Sequence, residues 1–203
     1  PSELPNCSTP RRKSNCTSAP RTETNRVRPV SGRSDILADV SDYTIRRAEP
    51  VEYDAAGQIT LEAYDHDDLI PAETDYDQAL RNAARRAERA ELLVAVHDDG
   101  TVVGTVTFCR AGTEYAEISR PGEAEFRLLG VAPAARGSGI GEALVRACID
   151  LARGYGDHAL LLSTQPTMDS AHRIYQRLGF QRAAERDWSP VPGVSLIAYR
   201  LDL

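Results

Sequence analysis

The stretch Glu125–Gly141, Glu-Phe-Arg-Leu-Leu-Gly-Val-Ala-Pro-Ala-Ala-Arg-Gly-Ser-Gly-Ile-Gly, constrains the fold more than any other part of the chain. Phe126, Leu128, Leu129 and Val131 suit a buried strand, and Pro133 ends it because proline brings no N–H to a ladder. Strict alternation along that strand places Glu125 on one face with Arg127 and Leu129. Beyond the glycines, Ile140, Ala143, Leu144, Ala147, Cys148 and Leu151 recur at helical spacing. A glycine loop at a helix N-terminus presents unpaired N–H groups and the positive end of the helix dipole, a site suited to phosphate.

Two phosphate-loop patterns are excluded. A P-loop needs a lysine after its last glycine, and none follows here; a dinucleotide loop needs a third glycine where this chain has Glu142. The segment Arg136-Gly137-Ser138-Gly139-Ile140-Gly141 has the form Arg-x-x-Gly-x-Gly.

Composition narrows the class. A chain of 203 residues, 41% hydrophobic and 27% charged, can bury a core of ordinary domain size. No apolar run approaches the roughly 20 residues of a membrane helix, and no charged-then-apolar leader pattern stands at the N-terminal side. Cys7, Cys16, Cys109 and Cys148 form no CxxC pair, so the thiols are expected reduced and the location cytoplasmic, with a Cys7–Cys16 clip as the lesser reading. His66, His97, His158 and His172 lack metal-ligand spacing, and no metal is expected.

Residues 1–40 are rich in Ser, Thr, Pro, Asn and Arg and read as a disordered basic tail; residues 41–203 read as one domain. The first 34 residues hold seven basic and two acidic side chains, in a chain of net charge −6. No aromatic interleaves those charges, which argues against nucleic acid as a partner. Structure is expected from a short strand at Tyr43. A helix through Tyr64 follows, weakened by Gly57, and then an Asp65–Pro71 loop and a helix over 74–90 capped by Thr74. Leu92–His97 and Thr101–Phe108 flank Asp98-Asp99-Gly100, a hairpin signal. A strand at 158–164 precedes a helix striped by Ala171, Ile174, Tyr175 and Leu178 and closed by Gly179, and two strands, 181–187 and 194–203, end the chain. The order β-α-α-β-β-β-α-β-α-β-β makes an α/β domain with a mixed sheet of about seven strands and four helices.

Arg136–Gly141 resembles the pyrophosphate loop of the GCN5-related N-acetyltransferase (GNAT) superfamily. Ala171-His-Arg-Ile-Tyr175-Gln-Arg-Leu-Gly179-Phe180 is similar to that family's Ala-x-x-x-Tyr-x-x-x-Gly-Phe helix. The resemblance covers residues 43–203 and implies a GNAT-like fold, acetyl-coenzyme A as co-substrate and direct acetyl transfer to a primary amine. It implies pantetheine contacts from the Leu129 and Val131 backbone. Pyrophosphate would be gripped by Gly137, Ser138, Gly139, Ile140 and Gly141, with Arg136 at the loop entrance. Tyr175 stands where the family has its proton donor to the leaving thiolate. Glu125, five residues before Gly130, matches the base of the histone-acetylating branch, with Glu123 as the fallback. Met168 and Ser163 depart from positions where the family often carries Asn and Glu, and leave the acceptor open. Asp65, Asp67, Asp68, Glu73, Asp75 and Asp77 lie where the family shapes its acceptor site, and such a cluster would draw a small cationic amine. Dimers are common in the family, so a homodimer is among the expectations. Two other functions remain open: a coenzyme A-binding module without catalysis, and a nucleotide-binding enzyme with an unusual loop.

Overall fold

The computed structural model describes residues 43–70 and 76–203. The expected basic tail, Cys7, Cys16, the Thr74 cap, Glu73 and Asp75 lie outside them. Seven strands form one sheet: β1 Tyr43–Arg47, β2 Glu91–His97, β3 Val102–Arg110, β4 Glu123–Val131, β5 Ala159–Thr164, β6 Gln181–Arg182 and β7 Ile197–Asp202. Their spatial order is β1-β2-β3-β4-β5-β7-β6. All neighbours are antiparallel except β4 and β5, which run parallel.

Helices cover both faces, which is why β2 and β3 read as unbroken apolar runs. On one face α1 (Tyr53–His66) and α3 (Ala83–Arg89) bury Ala56, Ile59 and Ala83 against Leu92, Val94, Val96 and Val102. On the other, α4 (Ile140–Tyr155) and α5 (Asp169–Arg177) pack on Leu93, Ala95, Phe108, Phe126 and Leu162. The helical stripe expected after the glycine loop is the buried face of α4. The 98–100 hairpin is present, with Gly100 at φ +86° and its N–H donating to the His97 carbonyl at 2.9 Å.

The helix expected over 74–90 is two helices among the described residues, α2 (Tyr76–Arg81) and α3. Asn82 separates them: its side-chain oxygen accepts from the Arg85 amide at 3.1 Å, capping α3. Gly57 weakens α1 by propensity but allows contact, since a Cβ there would lie 2.1 Å from the Arg81 carbonyl oxygen. The two closing strands are shorter than expected, with a turn of 3-10 helix at Ala184–Arg186 and a single Trp188–Leu196 bridge between them.

Candidate active site

The site begins where β4 and β5 part. They pair only from Glu123–Phe126 on one strand to Ala159–Leu162 on the other. On its other side β4 carries a bulge against β3: Thr107 faces Arg127 and Thr105 faces Gly130, so Leu128 and Leu129 share one place. Leu128 adopts φ +54°, a left-handed conformation strained for a leucine. The extra residue changes the parity of the strand. Phe126, Leu129 and Val131 all pack toward the α4–α5 core, so Leu129 does not share the Glu125 face as strict alternation requires. A cavity of about 820 Å³ opens at this point, walled by Leu128, Leu129 and Val131, the glycine loop, α5 residues including Ala171, Ile174 and Tyr175, and Tyr64, Leu69 and Arg127.

Gly137 and Gly139 hold φ +82° and +88°, which glycine alone adopts without strain, and Gly139 is the N-cap of α4. The Ser138 hydroxyl donates to the Ala135 carbonyl at 2.6 Å and tightens the loop. With no carbonyl of their own helix to meet, the first N–H groups of α4 are anion donors. Arg136 is held by the end of α1: its Nη1 and Nη2 donate to Asp67 Oδ1 and Oδ2 at 2.7 and 3.1 Å, and Nη2 to the Ala63 carbonyl at 3.2 Å. Burial opposes the Asp67 charge, but the bonds from Arg136 and His66 outweigh it and keep the carboxyl below its ordinary range. Glu142, in the first turn of α4, is ion-paired with Arg146 and Arg177 at 2.7 and 2.8 Å, so its charge at the loop is countered.

Tyr175 is 3% exposed and lines the cavity, its ring 6.0 Å from each of Phe126, Phe180 and Tyr199. Burial in this aromatic nest pushes its phenol well up. Across the cavity stands Tyr64 of α1, also pushed up by burial, with Tyr76 tilted against it at 6.2 Å. Neither Tyr64 nor Arg127 carries a sequence motif; the signal for Arg127 was its shared strand face with Glu125.

The two expected carboxylates sit on the opposite sheet face from Phe126. Glu125 is fully buried, and its Oε2 accepts from the Glu117, Ile118 and Ser119 amides at 3.0, 3.0 and 3.2 Å. Its Oε1 is buried and meets no partner among the described residues. Glu123 accepts from the Arg120 amide at 2.8 Å, pairs with Arg186 at 3.2 Å and is also bonded by Arg200. Neither lines the cavity. Glu117, on the loop between β3 and β4, pairs with Arg127 at 2.8 Å. Of the acidic residues expected near the acceptor, Asp67 lines the cavity but is bound to Arg136, while Asp65 and Asp68 are exposed. No group of three His, Cys, Asp or Glu capable of holding a metal occurs among the described residues.

The model of the acetyltransferase (GNAT) family matches residues 54–180. Over 112 residues the chain is 38% identical to mycothiol acetyltransferase of Pseudarthrobacter chlorophenolicus, covering 54% of this chain and 33% of that protein. It is 34% identical over 110 residues to the N-alpha-acetyltransferase RimI of Mycobacterium tuberculosis, covering 54% and 65%. The chain thus spans a third to about two thirds of the length of these relatives. The fold is similar to Salmonella typhimurium yncA, solved with its cofactor acetyl-CoA: TM-score 0.57, 26% identity, 80% of this chain and 95% of that one. A bulged strand parting from its parallel neighbour, a glycine loop at a helix start and the family match over most of the described domain together make the chain a member of the acetyltransferase (GNAT) family.

Proposed function

We propose that the protein is an acetyl-coenzyme A-dependent N-acetyltransferase that moves the acetyl group directly to a primary amine. The observation that carries this reading is the parting of β4 from β5, which opens a cavity between a phosphate-ready loop and a buried phenol. The donor set fits the co-substrate. A Cβ at Gly137 would meet nothing within 4 Å, so the loop is open to pyrophosphate oxygens. Gly137, Ser138, Gly139, Ile140 and Gly141 supply backbone N–H groups, and Arg136 supplies a cation at the entrance. The Leu129 and Val131 backbone, which β5 has left, is available to the amide groups of the pantetheine arm. The similar fold of Salmonella typhimurium yncA, which holds acetyl-CoA, supports the same ligand here.

In this reading the amine, freed of its proton, attacks the thioester carbonyl carbon. A backbone N–H at the Leu128 bulge faces the developing oxyanion. The C–S bond breaks and Tyr175 gives its phenolic proton to the leaving sulfur. A phenol pushed up by burial keeps its proton through the neutral range, so the donor form is in place when the thiolate develops beside it. The acceptor is a small or peptide amine; among the described residues, the charge that would draw a cation to the region of α1, α2 and their connection is that of Asp65, Asp68 and Asp77, since Asp67 is engaged by Arg136. The unpaired thiols of Cys109 and Cys148 support a reducing cytoplasm as the setting. No described helix is long and apolar enough to cross a membrane.

Calorimetry with acetyl-coenzyme A, coenzyme A and ATP, followed by thiol release on adding amines, tests the proposal. Binding of acetyl-coenzyme A with amine-dependent thiol release is expected. Binding without release under any amine would make the chain a coenzyme A-binding module instead.

A further inference from the structure

Resting on the transferase reading above, we infer that Glu117 is the carboxylate that takes the proton from the acceptor's ammonium, with Arg127 as its resting counter-ion and Glu125 as the residue that positions it. An alkyl ammonium near its ordinary pKa of about 10.4 is almost wholly protonated at neutral pH, so a base is required before attack. Three carboxylates stand behind the acceptor side of β4. Glu123 is closed off by one amide and two arginines. Glu125 is fully buried, absent from the cavity wall, and ties down the backbone of 117–119 through three N–H groups. Glu117 does not line the cavity either, but its one side-chain partner among the described residues, Arg127 at 2.8 Å, does. The Glu117 side chain keeps 29% exposure against 5% for that of Glu123. An acceptor ammonium entering the cavity offers Glu117 the same charge and N–H donors that Arg127 offers at rest, so one cation replaces the other.

The surroundings of Glu117 favour a base. Arg127 and Glu125 face it from β4, Tyr76 from α2 and Cys109 from β3. Burial pushes Glu117 above the ordinary carboxyl range, Arg127 opposes this, and the Glu125 charge adds to it. Tyr76 and Cys109 are both pushed up by burial and stay neutral. The proton balance closes. The ammonium gives one proton to Glu117, directly or through one water, and the neutral nitrogen forms the C–N bond; the tetrahedral intermediate then loses its second N–H proton to solvent as the C–S bond breaks. Tyr175 protonates the departing sulfur, and Glu117 and Tyr175 re-equilibrate through solvent with net release of one proton.

The test compares wild type, Glu117→Gln and Glu125→Gln with benzylamine and L-alaninamide, protonated acceptors, and with hydroxylamine, which is uncharged at neutral pH. Glu117→Gln is expected to lower kcat/KM for the protonated acceptors roughly 10²-fold. It should leave hydroxylamine transfer and acetyl-coenzyme A affinity near wild type, and it should recover as pH rises toward the acceptor pKa. A merely structural role would depress all acceptors together. Selective loss in Glu125→Gln with an unimpaired Glu117→Gln would overturn the inference and return the base to Glu125. Wild-type protein that binds acetyl-coenzyme A but releases thiol with none of the three acceptors would overturn the transferase reading itself.

Discussion

Tyr175 and Glu123 illustrate two uses of a buried titratable side chain. Tyr175 lies in an aromatic nest that disfavours its anion, so it keeps its proton through the neutral range. Tyr175→Phe retains the ring and its packing and removes only the donor. We expect kcat to fall about 10²-fold while acetyl-coenzyme A affinity, read by calorimetry, is unchanged. Glu123 is different. Burial raises the cost of its charge, but the Arg120 amide, Arg200 and Arg186 outweigh that and hold it below the ordinary carboxyl range. Its folded pKa is therefore lower than its unfolded one. Its stabilising effect is complete above the unfolded value and is lost as pH falls through the folded one. Glu123→Gln leaves two arginines without their carboxylate, a change expected to cost about 3 kcal/mol in denaturant unfolding at neutral pH. The difference from wild type should shrink under acid.

At the scale of elements, the local pattern reported each helix and strand that neighbours in sequence determine. The α4 stripe, the 98–100 hairpin and the Tyr175 helix follow from periodicity, turn chemistry and caps. Three features did not. The break at Asn82 depends on a side chain choosing to cap rather than continue a helix, and alanine-rich neighbours mask it. Gly57 looks like a helix defect but is the point where α1 meets the Arg81 carbonyl. Gly57→Ala should raise helix propensity by up to about 1 kcal/mol yet destabilise the protein overall, because a backbone oxygen cannot move aside as a flexible side chain would. A rise in the melting temperature would refute the contact. The Leu128 bulge is the third, since its place is set by β3 across the ladder and not by β4 alone.

At the scale of the whole molecule, the cavity joins loop, strand and both helical layers, so its ligand should stabilise all of them together. With acetyl-coenzyme A at 100 times its Kd, the folded state should gain about 2.7 kcal/mol, read as a higher melting temperature that rises with ligand concentration. ATP, lacking the pantetheine arm, should give a smaller shift; equal shifts would point to a nucleotide site. The sequence by itself determined the α/β class, the glycine loop, the helix that carries Tyr175 and the family, because these rest on short-range spacing and backbone freedom. Only the tertiary structure decided which contacts the carboxylates make. It turned Glu125 into an anchor for residues 117–119, tied Asp67 to Arg136 and brought Glu117 to Arg127 at the cavity wall. The Asp67–Arg136 pair joins residues 69 apart, the contacts of Glu117 and Glu125 depend on how the loop between β3 and β4 folds back on β4, and no local pattern encodes where β4 parts from β5.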